Sequence, residues 1–278
     1  MGRLEKPAPA EPDVFGSNAF APQEIAERVQ AIGVKKARLP LLSQLILSVL
    51  GGAFIGMGAL FYVLIHSDAS LGFAARQVAA ALSFCLGMLL VVVAGAELFT
   101  GNNLIVMARA QGAIGSGEVL RNWTIVFAGN LVGTTGLALL VWLSGHPGMN
   151  EGAIGRDYVH IAEAKAALPF LEAFWRGILC NALVCLAIWM SYAGRSVIDK
   201  AVAIIFPIAA FVAAGFEHCI ANLYYFAMAL LLEPQASAPL LGGMLRNIVA
   251  VVIGNVIGGS VLVGLVYYLI YIRRPRGV

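Results

Sequence analysis

The sequence predicts an all-α integral membrane protein of six transmembrane helices, built as two inverted three-helix repeats with broken second and fifth helices. Three observations predict it: the composition, the length of the apolar runs, and a pair of motifs that recur in the same order. Of 278 residues, 60% are apolar and 12% charged, against about 45–50% and about 25% in soluble domains. A soluble fold of this size could not hide that excess, so the apolar surface must face lipid; the mean hydropathy of +0.86 agrees. The same composition excludes a disordered chain, a disulfide scaffold and a nucleic-acid binder. The 31 glycines show no three-residue period, which excludes a collagen-like chain.

Residues 1–38 form an N-terminal segment of a different kind. Positions 1–22 are rich in Pro, Ala and polar groups and hold no signal-peptide core, so no cleavage is expected. Positions 23–38 place Ile25, Val29 and Ile32 at helical spacing and end in Lys35, Lys36 and Arg38. That pattern predicts a short amphipathic helix lying on the membrane surface. A bilayer core of about 30 Å needs roughly 20 apolar residues in a helix. Within a channel domain of 39–272, the runs 41–65, 77–99, 123–143, 174–193, 201–232 and 247–272 meet this, and 273–278 is a basic tail. Placing both termini on one side gives that side thirteen of the Lys and Arg residues and the other side five. The bias toward the cytoplasm puts both termini there, in a bacterial-type inner membrane.

The second run ends in Gly95-Ala96-Glu97-Leu98-Phe99-Thr100-Gly101-Asn102, and the fifth contains Gly215-Phe216-Glu217-His218-Cys219-Ile220-Ala221-Asn222. Both read G-x-E-x-x-x-x-N. A second echo follows each, Gly129-Asn130-Leu131-Val132-Gly133 in the third run and Gly254-Asn255-Val256-Ile257-Gly258 in the sixth. The chain therefore reads as a duplicated three-span unit. Three is odd, so the second copy is inverted relative to the first. Inverted repeats with interrupted helices at matching positions are the signature of a transport site near the midplane.

Glu97 and Glu217 stand in apolar surroundings, where a bare charge is costly. Because both copies keep the acid, a structural role is expected: each carboxylate satisfies backbone amides freed where its helix breaks. His218 breaks the symmetry, since the other copy has Leu98 at that place. An imidazole there can donate a hydrogen bond to an anion or pass it a proton near neutral pH. Thr100 beside the first break offers a hydroxyl. Gly112, Gly115 and Gly117 make 100–117 a poor continuous helix and predict a loop folding back toward the membrane interior. Cys85, Cys180, Cys185 and Cys219 lie in apolar runs with no CxxC pair and read as packing residues. Neither a metal site nor a cofactor is expected. Asn122-Trp123-Thr124 fits a glycosylation sequon but borders a span and carries no weight. Lys165, in the loop before the fourth run, reads by itself as a solvated lysine.

These motifs, together with Asn181-Ala182-Leu183-Val184-Cys185-Leu186-Ala187-Ile188-Trp189-Met190, resemble the formate/nitrite transporter family over roughly Val34 to Tyr271. Trp189 to Ser196 and Trp142 to Gly145 resemble its formate-channel branch; Gly101-Asn102-Asn103 after the threonine departs from that branch. The resemblance implies a homopentamer of aquaporin-like protomers, each with its own pore for small monovalent anions such as formate, nitrite or hydrosulfide, some accompanied by protons. It implies His218 and Thr100 as the central histidine and loop threonine, and Lys165 as a vestibule lysine. It further implies Asn181 and Asn222 near the pore, a periplasmic constriction of Phe84 with Phe211, and a cytoplasmic one near Leu98 and Met88. From the residues alone, Phe84 and Phe211 could equally be ordinary core or lipid-facing aromatics.

The expected chemistry is anion passage by local neutralisation. Lys165 attracts the anion, and protonation near His218 lets a neutral acid cross the apolar section. A neutral-solute channel shares the architecture, although no Asn-Pro-Ala pair occurs. An enzyme is not expected, because there is no HExxH and no second histidine within a span.

Overall fold

A computed structural model describes residues 19–235 and 237–273. The Pro-rich start at 1–18, the end of the basic tail at 274–278, and the charges on them lie outside those residues. Among the described residues the chain is helical, with no strand beyond an isolated bridge between Ala19 and Gly194. The helices are α1 Pro22–Ala37, α2 Leu41–His66, α3 Phe73–Leu89, α4 Val106–Ala110 and α5 Ser116–Leu143. They are followed by α6 Ala153–Ala167, α7 Phe170–Ser191, α8 Val197–Ala213, α9 Cys219–Leu232 and α10 Ala238–Val256. π-Helical turns extend α3 to Gly95, and the last helix winds on through further π turns to Ile272.

Five helices are long and apolar enough to cross a bilayer: Leu41–His66, Phe73–Gly95, Ser116–Leu143, Phe170–Ser191 and Ala238–Ile272. The fifth run of the sequence, 201–232, is two helices, α8 of 17 residues and α9 of 14, neither spanning by itself. The reason is local. Gly215 has φ +70°, and Gly95, ending the α3 extension, has φ +89°; glycine enters this left-handed region without the Cβ penalty. Both helices end there, and residues 96–98 and 216–218 run irregularly. Past the first break the chain is helical sooner than its glycines suggest. A 3-10 stretch Gly101–Ile105 leads into α4, and only 111–115 form a turn, pivoting on Gly112 at φ +83°.

Close packing of small residues binds the long helices, as expected where lipid supplies no hydrophobic drive between them. Gly133 on α5 leaves no room for a Cβ beside the Val49 carbonyl of α2, and Gly258 stands in the same relation to the Ile178 carbonyl of α7. Apolar side chains such as Leu42, Leu140, Phe206 and Ile198 are exposed around the periphery. The amphipathic α1 packs its apolar face on protein. It buries Ile25, Ala26, Val29, Gly33 and Ala37, and a Cβ at Gly33 would lie 3.3 Å from that of Ala108. Its apolar face is used by the chain's own 101–110 segment.

Candidate functional site

Each break is served by one asparagine and carries one acid, and the partners of both match between the two. Asn130 of α5 accepts the Phe99 N–H through Oδ1 (2.9 Å), and its Nδ2 donates to the Glu97 (2.9 Å) and Ser48 (2.6 Å) carbonyls. Asn255 of α10 accepts the Cys219 N–H (3.0 Å) and donates to the Glu217 (3.0 Å) and Gly177 (2.8 Å) carbonyls. The backbone groups freed by the breaks are thus met by asparagines, and the glutamate carboxylates are engaged elsewhere. Glu97 accepts from Lys36 Nζ and Asn102 Nδ2, both at 2.6 Å. Glu217 accepts from Lys165 Nζ at 2.7 Å, Asn222 Nδ2 at 2.6 Å and Asn247 Nδ2 at 3.2 Å. A second pair of asparagines closes each set, with Asn122 Nδ2 on the Lys36 carbonyl and Asn247 Nδ2 on the Lys165 carbonyl, both 3.0 Å. The physical reason for the changed role of the acids is charge. A nearly buried carboxylate (Glu97 4% and Glu217 3% exposed) is compensated better by an ammonium than by neutral amides alone.

Two cavities approach these breaks. One, about 620 Å³, is lined by Lys35, Lys36, Glu97, Leu98, Asn102 and Lys200 among others. The other, about 280 Å³, is lined by Phe84, Lys165, Phe211, Glu217, His218 and Asn222, with Tyr62, His66 and His160 toward its rim. Between them, Thr100 Oγ1 lies 3.0 Å from His218 Nε2. His218 is the N-cap of α9, and its Nδ1 accepts the Ala221 N–H at 3.1 Å. With Nδ1 occupied as acceptor, the hydrogen of the neutral ring sits on Nε2 and is donated to Thr100. That leaves the threonine's own O–H free for another acceptor. Phe211 stacks on the His218 ring at 5.9 Å, and Phe84 meets Phe211 edge-on at 6.0 Å, so aromatic surface flanks the histidine in the wall of the Lys165 cavity.

Of the residues singled out from the sequence, His218, Lys165, Asn222, Glu217, Phe84 and Phe211 come together around the smaller cavity. Leu98 and Glu97 line the larger one. Met88 is buried and lines neither cavity. Asn181 also lines neither; its Nδ2 braces the breaks from behind, at 3.2 Å from the Thr100 carbonyl, 2.8 Å from Asn103 Oδ1 and 2.7 Å from the Asn255 carbonyl. Lys165 is not simply solvated, being 18% exposed and ion-paired. Sequence reasoning missed Lys36, Asn122 and Asn247. A usable signal was present: each asparagine stands eight residues ahead of the G-N asparagine, and each lysine five ahead of the next helix.

Long apolar helices, breaks at matched positions and a cavity beside each break define a multi-pass membrane protein of the channel or transporter class. The family model described as formate/nitrite transporter matches residues 23–269. The formate channel FocA of Escherichia coli K12 is 39% identical over 270 residues, covering 91% of this chain and 95% of the relative. A solved pentameric formate channel with formate bound is 34% identical, with a TM-score of 0.77 over 84% of this chain and 98% of that one. An FNT family ion channel gives 0.80 at 30% identity, over 89% and 98%. The chain belongs to the formate/nitrite transporter family.

Proposed function

We propose that the protein is a channel for small monovalent anions, formate foremost, working as a homopentamer with one pore in each aquaporin-like protomer. The observation that carries the reading is the Thr100–His218 hydrogen bond between two cavities, each entered past a lysine paired to a buried glutamate. The matched contacts at the two breaks support six spans arranged as two inverted repeats, with α8 and α9 together making the fifth. The lysine bias supports cytoplasmic termini in a bacterial inner membrane, with the Lys36 cavity inside and the Lys165 cavity outside.

In this reading the lysines raise the local anion concentration, and their partner acids keep each lysine from holding an anion too tightly. Between the cavities a bare anion is costly. The free Thr100 O–H donates to the carboxylate there, while His218 Nε2–H fixes the hydroxyl's direction. A proton from vestibule water bonds to one carboxylate oxygen, and the neutral acid crosses the apolar section and releases the proton on the far side. A proton placed on Nδ1 of His218 would displace the helix cap, and Nε2 already carries one, so in this arrangement the ring acts as a hydrogen-bond donor and the proton comes from water.

Uptake of formate, nitrite and hydrosulfide into proteoliposomes at two pH values tests the proposal. Formate flux that rises on acidification is expected. Thr100→Val should reduce it about tenfold, the equivalent of one lost charge-assisted hydrogen bond of about 1.4 kcal/mol, and His218→Phe should abolish the flux or its pH dependence. Preference for nitrite or hydrosulfide would move the substrate within the family. Absence of any anion flux would refute the channel reading, and a Thr100→Val flux equal to wild type would remove the hydroxyl from the pore.

A further inference from the structure

The rim of the Lys165 cavity carries a second set of titratable groups that the proposed passage does not use. His66, the last residue of α2, lines this cavity. Its Nδ1 is 2.8 Å from Asp157 Oδ2 of α6, and its ring stacks on Tyr62 at 5.0 Å. The pair is mostly buried, with side chains 17% and 13% exposed. The position is therefore built: one ring nitrogen is fixed by a carboxylate and one ring face by an aromatic. The matched frame gives His66 no counterpart at the other cavity, where the charges lining the wall are Lys35, Lys36, Glu97 and Lys200.

We propose that the His66–Asp157 pair sets the charge of the Lys165 vestibule and so governs how strongly it recruits the anion. The inference rests on the anion-channel reading above. The groups around His66 permit the count. Its own helix offers Tyr62, and α3 offers Gln77 and Arg76, both close enough to Tyr62 to act on its hydroxyl. From α6 come Asp157, His160 and Lys165; α9 and the break before it add Tyr225 and Glu217. Arg176 of α7 is paired with Glu172, as Lys165 is with Glu217. With a neutral His66 ring the pair carries the negative charge of Asp157 directly behind the cavity-lining imidazole, with Arg76 as the other charge near Tyr62. Protonation of the ring cancels the pair's charge. The change is one unit at the mouth of the route that a carboxylate would enter. A unit charge roughly 10 Å away, screened between water and an interfacial medium, changes anion occupancy about two- to tenfold.

The test is initial formate uptake by the full-length protein in proteoliposomes, at the same pH on both faces, from pH 5.5 to 8.5. Equal pH removes any proton gradient and makes the direction of insertion immaterial. His66→Gln should lower flux at the acidic end about two- to tenfold and flatten the profile, with little change at the alkaline end. His66→Lys should hold flux near its acidic level throughout, and Asp157→Asn, which removes one negative charge in either state of the ring, should raise flux at both ends of the range. Opposite displacements by Gln and Lys are what a merely structural histidine would not give. Superimposable profiles for wild type and His66→Gln, in protein of unchanged oligomeric size, would overturn the inference and leave the channel reading intact. If His66→Gln does not assemble, a flat response to Asp157→Asn overturns it instead. A wild type that carries no formate at any pH refutes the channel reading itself.

Discussion

Asn255→Leu isolates what the irregular segment between α8 and α9 needs. The two side chains have nearly the same shape, so the substitution leaves little cavity and removes three hydrogen bonds: the Cys219 N–H to Oδ1, and Nδ2 to the Gly177 and Glu217 carbonyls. Side-chain hydrogen bonds between membrane helices average about 0.6 kcal/mol, with a maximum near 1.7, which brackets three of them between about 2 and 5 kcal/mol. A buried backbone group left without a partner costs about 1–3 kcal/mol. Cys219 opens α9, so no earlier turn of that helix can take its N–H. This pushes the value toward the middle of the bracket, about 3 kcal/mol or roughly a hundredfold in the unfolding equilibrium. Denaturant unfolding of the purified protein in mixed micelles, followed by circular dichroism, reads it. Asn130→Leu should cost the same within about 1 kcal/mol, since Asn130 makes the corresponding three bonds. An Asn255→Leu protein within about 0.5 kcal/mol of wild type would refute the claim that asparagines, rather than the glutamates, hold the breaks.

Two further perturbations follow from the same packing and capping. Gly133→Ala sets a Cβ against the Val49 carbonyl, with the Ala53 amide 2.9 Å away; neither backbone group can swing aside, so overpacking of about 1–3 kcal/mol is expected in the same assay, and an unchanged midpoint would refute it. At the start of α8, ahead of its apolar stretch, the Ser196 N–H, the Ser196 hydroxyl and the Arg195 N–H hold the exposed Asp199 carboxyl below the usual carboxylate range. A depressed folded-state value means that the stabilisation is present above the unfolded value near 3.9 and is lost as pH falls through the lower folded one. Asp199→Asn should therefore lower thermal stability at pH 7 and approach wild type as pH falls past the folded-state value of the carboxyl; parallel curves into the acid range would count against the cap.

What the sequence made legible is what repeats at fixed spacing. The G-x-E-x-x-x-x-N and G-N-x-x-G echoes locate both breaks, both buried acids and the asparagines that serve them, because each motif must fit one backbone geometry twice. The partners of Glu97 and Glu217 were harder to read. Lys36 and Lys165 sit at the ends of α1 and α6, whose sequences share little, because these helices need only an apolar face and a terminal lysine. The surface placement expected for α1 followed from its amphipathic pattern, yet such a pattern cannot distinguish lipid from protein as the apolar partner. Asn122 was set aside as part of a sequon, although its spacing to Asn130 equals that of Asn247 to Asn255. Met88 and Asn181 rest on the family resemblance alone, since neither stands in a motif that repeats between the two halves of the chain.

The frame is matched where it carries backbone and unmatched at the Thr100–His218 pair, and the mismatch is complementary. Leu98 stands where the other copy has His218, and Ile220 where the first has Thr100. Both aliphatic residues are buried. Each copy therefore contributes one polar and one apolar side chain to the centre, and the two polar ones satisfy each other across 3.0 Å. A symmetric centre with histidine and threonine in both copies would place four polar groups in the apolar section, with hydrogen-bonding capacity left over for water. A symmetric centre of leucine and isoleucine would offer a crossing anion nothing. One His–Thr pair leaves a single free donor, the threonine O–H, so the narrow section can greet one acceptor at a time while its remaining wall stays apolar. In the proposed anion-channel reading that stoichiometry suits a small anion with one carboxylate, and it rests on the differences at 98/218 and 100/220 between motifs whose asparagines and glutamates are the same.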